Sequence, residues 1–177
     1  MALRTIVQDG DPILKKKCRP VTNFDDRLAE LLEDMIETLA DAQGYGLAGP
    51  QVGVMRRVFV SLDERDLPED GEVPEGYEPK YLEFVNPEII MQEGEVLQYE
   101  GCLSFPGHNA AIRRPQKVTV RAFDRHGKPF TLTGEDMLAR CICHETNHLD
   151  GVTIMDLAEF FYEDQEHDDE DESATEE

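Results

Sequence analysis

The chain has 177 residues, of which 40% are hydrophobic, and 39 acidic against 17 basic residues give it a formal net charge of −22. This length and composition fit one globular domain and exclude a wholly disordered chain. No apolar run approaches about eighteen residues, so no membrane span is expected, and the acidic surface opposes direct nucleic-acid binding. The first ten residues lack the apolar core of a signal peptide, which predicts a cytoplasmic location with free or metal-binding cysteines.

The first predicted element is a helix over Asp25–Ala42, where apolar side chains recur every three or four residues. Asn23 or Asp25 can cap its start, and Gly44 lies just past its end. The stretch GYGLAGPQVGV that follows is too rich in glycine for a regular element, and RRVFVSLD is typical of a strand. An acidic loop with three prolines and two glycines is predicted for Glu64–Lys80.

The second half of the chain is predicted to hold three strands, a turn and a helix. The strand-like stretches are YLEFVNPEIIMQEG, EVLQYEGCLS and KVTVRAFD. The stretch DRHGKPFTL predicts a hairpin turn with Gly127 in the left-handed conformation. The final helix is predicted to run from Thr133, its cap, to Asp150, with Gly151 as the stop signal.

These elements predict a single α+β domain, in which short antiparallel strands pack around a central helix that bears an HExxH pattern. The domain is expected to span residues 1–160. Residues 161–177 are expected to form an acidic, disordered tail, because Glu163–Glu177 contains ten acids and no lysine or arginine.

The HExxH pattern is formed by His144, Glu145 and His148. Residues four apart share one face of a helix, so the two histidines can bind one metal ion. Glu145 lies about 100° around the helix from His144, within reach of a water at the metal, which suits a general base. The alternative is a chance match in which both histidines are buried and satisfied by hydrogen bonds.

Two histidines leave a metal short of a protein ligand, and the cysteines are the candidates. Cys143 points about 100° away from His144, and Cys141 lies roughly 7.5 Å along the helix axis from the expected metal, beyond the reach of its short side chain. Cys102, at the end of a predicted strand, remains the candidate, since Cys18 has no comparable context. A Cys/His/His set with an open position favours Fe(II), Zn, Ni or Co over Mg or Ca.

Three stretches together resemble the peptide deformylase family. GYGLAGPQ (Gly44–Gln51) is similar to the first motif of the family, EGCLS (Glu100–Ser104) matches the second residue for residue, and CHETNHLDG (Cys143–Gly151) resembles the third. Their order and approximate separations agree, and the likeness extends over Thr5–Leu157. The resemblance implies an enzyme that removes the N-formyl group from newly made polypeptides beginning with formylmethionine and releases formate.

The resemblance also implies a role for each motif residue. One divalent transition metal, usually Fe(II) in the cell, is expected to be held by Cys102, His144 and His148. Glu145 is expected to take the proton of the attacking water and to pass it later to the departing amine. Together with the metal, the side-chain amide of Gln51 and the backbone N–H of Leu103 are expected to hold the oxyanion.

The substrate is expected to bind as an extended peptide. Because Gly44 and Gly46 have no side chains, a peptide can approach and pair with their backbone. By similarity, the methionine side chain enters a pocket lined by Tyr45, Glu100, Gly101, Met137, Arg140 and Cys141. The expected partners are formyl-Met nascent peptides in transient proximity to the ribosome, although an acidic tail opposes docking on ribosomal RNA.

Several residues depart from the family pattern. Asn147 replaces the usual aspartate, keeping an acceptor but losing the charge, which predicts altered metal tuning rather than loss of the site. Cys143 replaces a glutamine at a position that faces away from the metal. Gly49 replaces an alanine and is expected to loosen the loop that carries Gln51. Tyr45 is larger than the common Ile or Val and is expected to reshape the methionine pocket.

Two other functions are compatible with an HExxH pattern. A metallopeptidase that cuts internal bonds is disfavoured because the proposed third ligand is a cysteine on an upstream EGCLS strand. A non-catalytic metal-binding or redox-sensing protein is suggested by Asn147 and by the neighbouring thiols of Cys141 and Cys143. Formate release from formyl-Met peptides distinguishes the leading hypothesis from both.

Overall fold

The computed structural model of the protein describes residues 2–66 and 75–162. The middle of the predicted acidic loop and most of the predicted acidic tail therefore lie outside the described residues. The helices are α1 (Asp26–Asp41), α2 (Asp136–Leu149) and α3 (Ile154–Leu157). The strands are β1 (Gly46–Ala48), β2 (Val58–Leu62), β3 (Tyr81–Glu93), β4 (Val96–Cys102), β5 (Phe105–Arg114), β6 (Lys117–Phe123), β7 (Pro129–Glu135) and β8 (Phe160–Tyr162). Short 3-10 helices span Pro12–Lys15, Gly49–Val52 and Glu64–Asp66.

The described strands form two antiparallel sheets. One has five strands in the order β1-β2-β3-β6-β7, and the other has three in the order β4-β5-β8. The predicted α+β class is confirmed. Within the described ranges, no helix is long and apolar enough to cross a membrane.

Helix α1 closely follows its prediction. Asp25 is the N-cap, and its carboxylate accepts a hydrogen bond of 3.1 Å from the backbone N–H of Leu28. The apolar face of the helix is buried and packs against β1 and β2 through a cluster that includes Leu32 and Leu39. Burial of this face stabilises a helix whose opposite side is charged and exposed.

Helix α2 begins later than predicted, and the assignment of Thr133 as its cap is wrong. Thr133 belongs to β7, where its hydroxyl lies 2.9 Å from that of Thr119 on the paired strand β6. Strand pairing thus extends to Glu135, which becomes the N-cap without a side-chain capping bond. Asp136 takes a positive φ of 48° as the chain turns from strand to helix.

Gly127, predicted to be left-handed, and Gly151, predicted to stop the final helix, both have a positive φ. Gly127 has φ 79° in the β6–β7 turn, and Gly151 has φ 72° just after α2. An added Cβ at Gly151 would lie 2.5 Å from the backbone oxygen of Lys15, so this position excludes any side chain. The N-terminal segment therefore packs directly against the end of the HExxH helix.

The prediction misses β1, β5 and β8. The glycine-rich stretch contains β1, whose three residues pair with β2. The stretch FPGHNAAIRR forms β5 despite its proline and glycine, because it pairs with β4 on one side and with β8 on the other. Strand β8 ends at Tyr162, so described secondary structure continues two residues past the predicted domain boundary.

Candidate metal centre and active site

Helix α2 presents two different faces. Its apolar residues, including Ile142 and Leu149, are fully buried in the cluster that contains Phe59 and Phe84 of the five-stranded sheet. The face that carries His144 and His148 is directed towards the end of β4. Core packing of one face of α2 therefore fixes the orientation of both histidines.

Cys102 reaches the histidines from the other sheet. It is the last residue of β4, where the pairing of β4 with β5 shifts register before the two-residue turn to Phe105. The Sγ atom of Cys102 lies 3.3 Å from Nε2 of His148. The Nε2 atoms of His148 and His144 lie 3.2 Å apart. All three donor atoms lie within 4.8 Å of one another, so the structure brings the three predicted ligands together.

The electrostatics of this cluster fit a cation. Burial lowers the pKa of His144, but contacts with Cys102 and Glu100 outweigh burial and raise it to about 10. Burial lowers the pKa of His148 well below its usual range, and the charge of His144 lowers it further. The cluster thus favours a positive charge on one of its two imidazoles, His144, and not on both. A borderline-soft divalent metal supplies such a charge and prefers these ligands.

Glu145 is buried beside the same cluster. Burial raises the pKa of its carboxyl group to about 7, with Glu100 raising it and His144 opposing the shift. Its Oε2 atom has no hydrogen-bond partner among residues 2–66 and 75–162. A carboxylate with a pKa near neutrality and a free oxygen can accept and return a proton. An added Cβ at Gly46 would lie 2.5 Å from the other oxygen, Oε1, so the glycine leaves the space that this carboxylate occupies.

The Gln51 side chain is fixed next to Cys102. Its Oε1 accepts a bond of 2.9 Å from the N–H of Ala48, and its Nε2 donates to Ser104 Oγ at 3.2 Å and contacts Cys102 Sγ at 3.6 Å. Gly49 does not leave this segment loose, because an added Cβ there would lie only 2.7 Å and 2.8 Å from two backbone oxygens. The segment is therefore closely packed around the glycine.

A cavity of about 430 Å³ joins the predicted site residues. All of them except the buried His148 line it: Gly44, Tyr45, Gly46, Gln51, Glu100, Gly101, Cys102, Leu103, Met137, Arg140, Cys141, His144 and Glu145. Sequence reasoning missed a further wall made by Gln43, Tyr99 and the start of β5. A prediction of strand β5 would have revealed that wall. The proline and glycine near the start of β5 hid the strand pattern.

The two cysteines of α2 lie where helix geometry predicts. Cys141 lines the cavity, and its Sγ lies 3.5 Å from the backbone oxygen of Tyr45. Cys143 is buried in the core cluster beside the five-stranded sheet. Neither belongs to the group of converging donor atoms in the described part of the chain.

Arg140 and Arg114 fix the rim and the back of the site. Arg140 lies at the rim, where its Nη1 donates to Gln98 Oε1 at 3.1 Å and to the backbone oxygen of Tyr99 at 2.9 Å. Arg114, which sequence reasoning missed, is buried and donates twice to Glu100. Its place on the unpredicted strand β5 explains the omission.

A helix that holds two histidines and a glutamate against a cysteine from a neighbouring sheet fits the class of metal-dependent hydrolases. A model of the polypeptide deformylase family matches residues 3–161. The chain belongs to this family, whose members are metal-dependent enzymes that remove N-formyl groups.

Individual relatives agree with this assignment. A peptide deformylase of Caldanaerobacter subterraneus subsp. tengcongensis is 46% identical over 156 residues, which cover 88% of this chain and 89% of the relative. One from Alkaliphilus metalliredigens is 44% identical and covers 88% of this chain and 97% of its own. The crystal structure of a peptide deformylase from Legionella pneumophila superposes with a TM-score of 0.77 at 42% identity, covering 88% and 86% of the two chains.

Proposed function

We propose that the cavity is the site of deformylation and that Cys102, His144 and His148 hold the metal. The convergence of their three donor atoms within 4.8 Å, next to a buried glutamate, is the observation that carries this proposal. A divalent transition metal held there supplies Lewis acidity, which polarises a carbonyl oxygen and makes water a stronger acid. The remaining chemistry belongs to side chains of the cavity.

Glu145 is the proton carrier of the reaction. With a pKa near 7, its carboxylate can take a proton from the attacking water and later give it to the amine that leaves. The free Oε2 atom can receive that proton without first breaking a bond to another described residue. Burial keeps bulk water from competing for the proton.

Gln51 and Leu103 stabilise the developing oxyanion. The Nε2 group of Gln51 donates a hydrogen bond of 3.6 Å to Cys102 Sγ, and sulfur is a weak acceptor, so the hydrogen on that side can turn to an oxyanion at low cost. Its second hydrogen stays on Ser104, which keeps the amide oriented. Leu103 lies in the turn directly after Cys102 and lines the same cavity, where its backbone N–H is the second donor.

The substrate peptide binds along β1. This strand is the outer member of the five-stranded sheet, so its other edge can accept an added strand. Gly44 and Gly46 keep that edge open, while Tyr45 stands half-exposed at the mouth of the cavity. The methionine side chain enters between Met137 and Cys141, below the fixed guanidinium of Arg140. Glu100 and Gly101 form the facing wall.

The setting of the reaction follows from its substrate. Formyl-Met chains emerge during translation, so we propose that the enzyme acts in the cytoplasm and in transient proximity to the ribosome. A Cys/His/His set suits Fe(II), which we propose as the metal in the cell, and it also suits Zn, Ni or Co. Fe(II) with a thiolate ligand is sensitive to oxygen.

The test is formate release from a formyl-Met tripeptide by Co(II)-loaded protein. We expect Glu145→Gln to bind the metal as the wild type does and to release formate at least about 100-fold more slowly. The control is Glu64→Gln, which alters a carboxyl group whose pKa is also raised by burial but which does not line the cavity. Equal activity of wild type and Glu145→Gln would exclude the assigned role.

A further inference from the structure

Arg114 connects both sides of the metal centre through three hydrogen bonds. Its guanidinium is buried, and its Nε and Nη2 atoms donate to the same oxygen of Glu100, Oε1, at 3.2 Å and 2.5 Å. Its third nitrogen, Nη1, donates to Oδ1 of Asn147 at 2.5 Å. One arginine therefore joins the strand that ends in Cys102 to the helix that carries the histidines.

The same carboxylate of Glu100 faces a proposed metal ligand. Oε1 of Glu100 lies 3.6 Å from Nδ1 of His144, a distance that gives an electrostatic contact rather than a hydrogen bond. These contacts form a closed path. It leaves α2 at His144, passes through Glu100 and Arg114, and returns to α2 at Asn147. Both charged groups of the path are buried, so their interaction is weakly screened.

The charges along this path depend on residue 147. The single positive charge of Arg114 is matched by Glu100 alone, because the amide of Asn147 is neutral. An aspartate at this position would place a second carboxylate on the same guanidinium. Arg114 would then be shared, and Glu100 would keep more of its negative charge for His144.

We propose that Asn147 is a positioning residue that sets the metal affinity from outside the site, through Arg114 and Glu100. The neutral amide leaves the guanidinium charge on Glu100, which weakens the pull of that carboxylate on His144. His144 is then a weaker metal donor than it would be beside a freer carboxylate. This inference rests on the proposed ligand set.

The space around Asn147 permits a test. Asn147 is partly exposed and lines a second cavity of about 320 Å³, which shares no lining residue with the substrate cavity. Aspartate has nearly the same shape as asparagine, so Asn147→Asp needs no repacking. Gln92, an exposed residue of β3, lines the same second cavity, but the side-chain hydrogen bonds of Arg114 within the described residues go to Glu100 and Asn147.

The experiment measures Co(II) affinity by competition with a chelator and follows the visible absorption of the bound ion. Asn147→Asp should bind Co(II) about 10-fold more tightly than wild type and shift the Co(II) absorption bands, because the donor strength of His144 changes. Gln92→Glu adds the same charge in the same cavity without the bond to Arg114, so its affinity and spectrum should stay those of wild type.

A double-mutant cycle tests the route. In an Arg114→Lys background, which keeps the charge but loses the three-way geometry, the gain from Asn147→Asp should largely disappear. Unchanged Co(II) affinity in Asn147→Asp, or an equal gain in Gln92→Glu, would overturn the inference. His148→Ala tests the proposed ligand set separately from the inference about Asn147. If this variant binds Co(II) as wild type does, the proposed ligand set fails, whatever the outcome at residue 147.

Discussion

A single methyl group at Gly46 should disable the site without unfolding the protein. An added Cβ would lie 2.5 Å from Glu145 Oε1, 2.9 Å from Glu145 Cδ and 2.7 Å from Cys141 Sγ. Carbon and oxygen need about 3.3 Å, so the carboxylate must retreat by about 0.8 Å. Strand β1 cannot move instead, because Gly46 pairs in register with Ser61 of β2.

The displacement affects the proton carrier directly. A misplacement of about 1 Å can cost about 100-fold in rate, or about 2.7 kcal/mol of transition-state stabilisation. We therefore expect kcat/KM of Gly46→Ala for a formyl-Met tripeptide to fall by about 30- to 100-fold, since the retreat is slightly smaller. Metal affinity should stay unchanged, because no proposed ligand lies among the three nearest atoms.

A second variant separates the two contacts. Cys141→Ala in the Gly46→Ala background removes the clash with sulfur and leaves the clash with the carboxylate. Activity should stay low if Glu145 is the group that matters. Wild-type kcat/KM in folded, metal-loaded Gly46→Ala would refute the reasoning, and full recovery in the double variant would transfer the effect to Cys141.

Three further predictions concern stability and thiol chemistry. Gly151→Ala should lower the free energy of unfolding by at least about 3 kcal/mol in urea titrations, because the added Cβ would meet backbone atoms of Lys15 and Lys16. The control Gly76→Ala, at a φ of +83° with no neighbouring atom within 4 Å, should lower it by about 1 kcal/mol. Burial raises the pKa of Asp34, but hydrogen bonds from the backbone N–H of Ala2 and from Arg4 outweigh it and lower the pKa below its ordinary value. Because Asp34→Asn weakens these charge-assisted bonds, it should destabilise the protein by about 2 kcal/mol at neutral pH. The carboxylate contributes fully above its unfolded pKa of about 3.9, and the difference from wild type should vanish as pH falls through the lower folded pKa; a constant difference in urea titrations down to pH 2 would contradict this. Burial raises the thiol pKa of Cys18 and of Cys143 to about 11. At pH 8, iodoacetamide should therefore label both thiols slowly in the folded protein and rapidly once urea unfolds the chain, as mapped by mass spectrometry.

Local sequence signals were sufficient for helix α1 and for the pattern of the site. The apolar spacing and Asp25 set α1, and the spacing of His144 and His148 places both on one face of α2. Helix geometry alone also separated the two cysteines of α2 from the converging donor atoms. These features depend on neighbours within about one helical turn, which a single sequence displays directly.

Features that depend on distant pairing could not be predicted. Strand β5 forms because β4 and β8 lie on either side of it, and Thr133 is a strand residue because β6 pairs with it. Arg114 was missed for the same reason, since its partners Glu100 and Asn147 lie 14 and 33 residues away. Nothing in the local sequence marks an arginine as buried when the counter-charge arrives from another strand.

The proposed ligands come from two layers of the molecule, because α2 packs on the five-stranded sheet while Cys102 ends a strand of the three-stranded sheet. An ion held by both is a cross-link between those layers, and the unfolded chain has no equivalent site. Metal supply and thermal stability are then thermodynamically linked, so the midpoint of unfolding rises with free metal concentration. When the metal is scarce, the protein loses its activity and also part of the stability of the contact between the two sheets. A larger fraction of unfolded chain is then open to proteolysis.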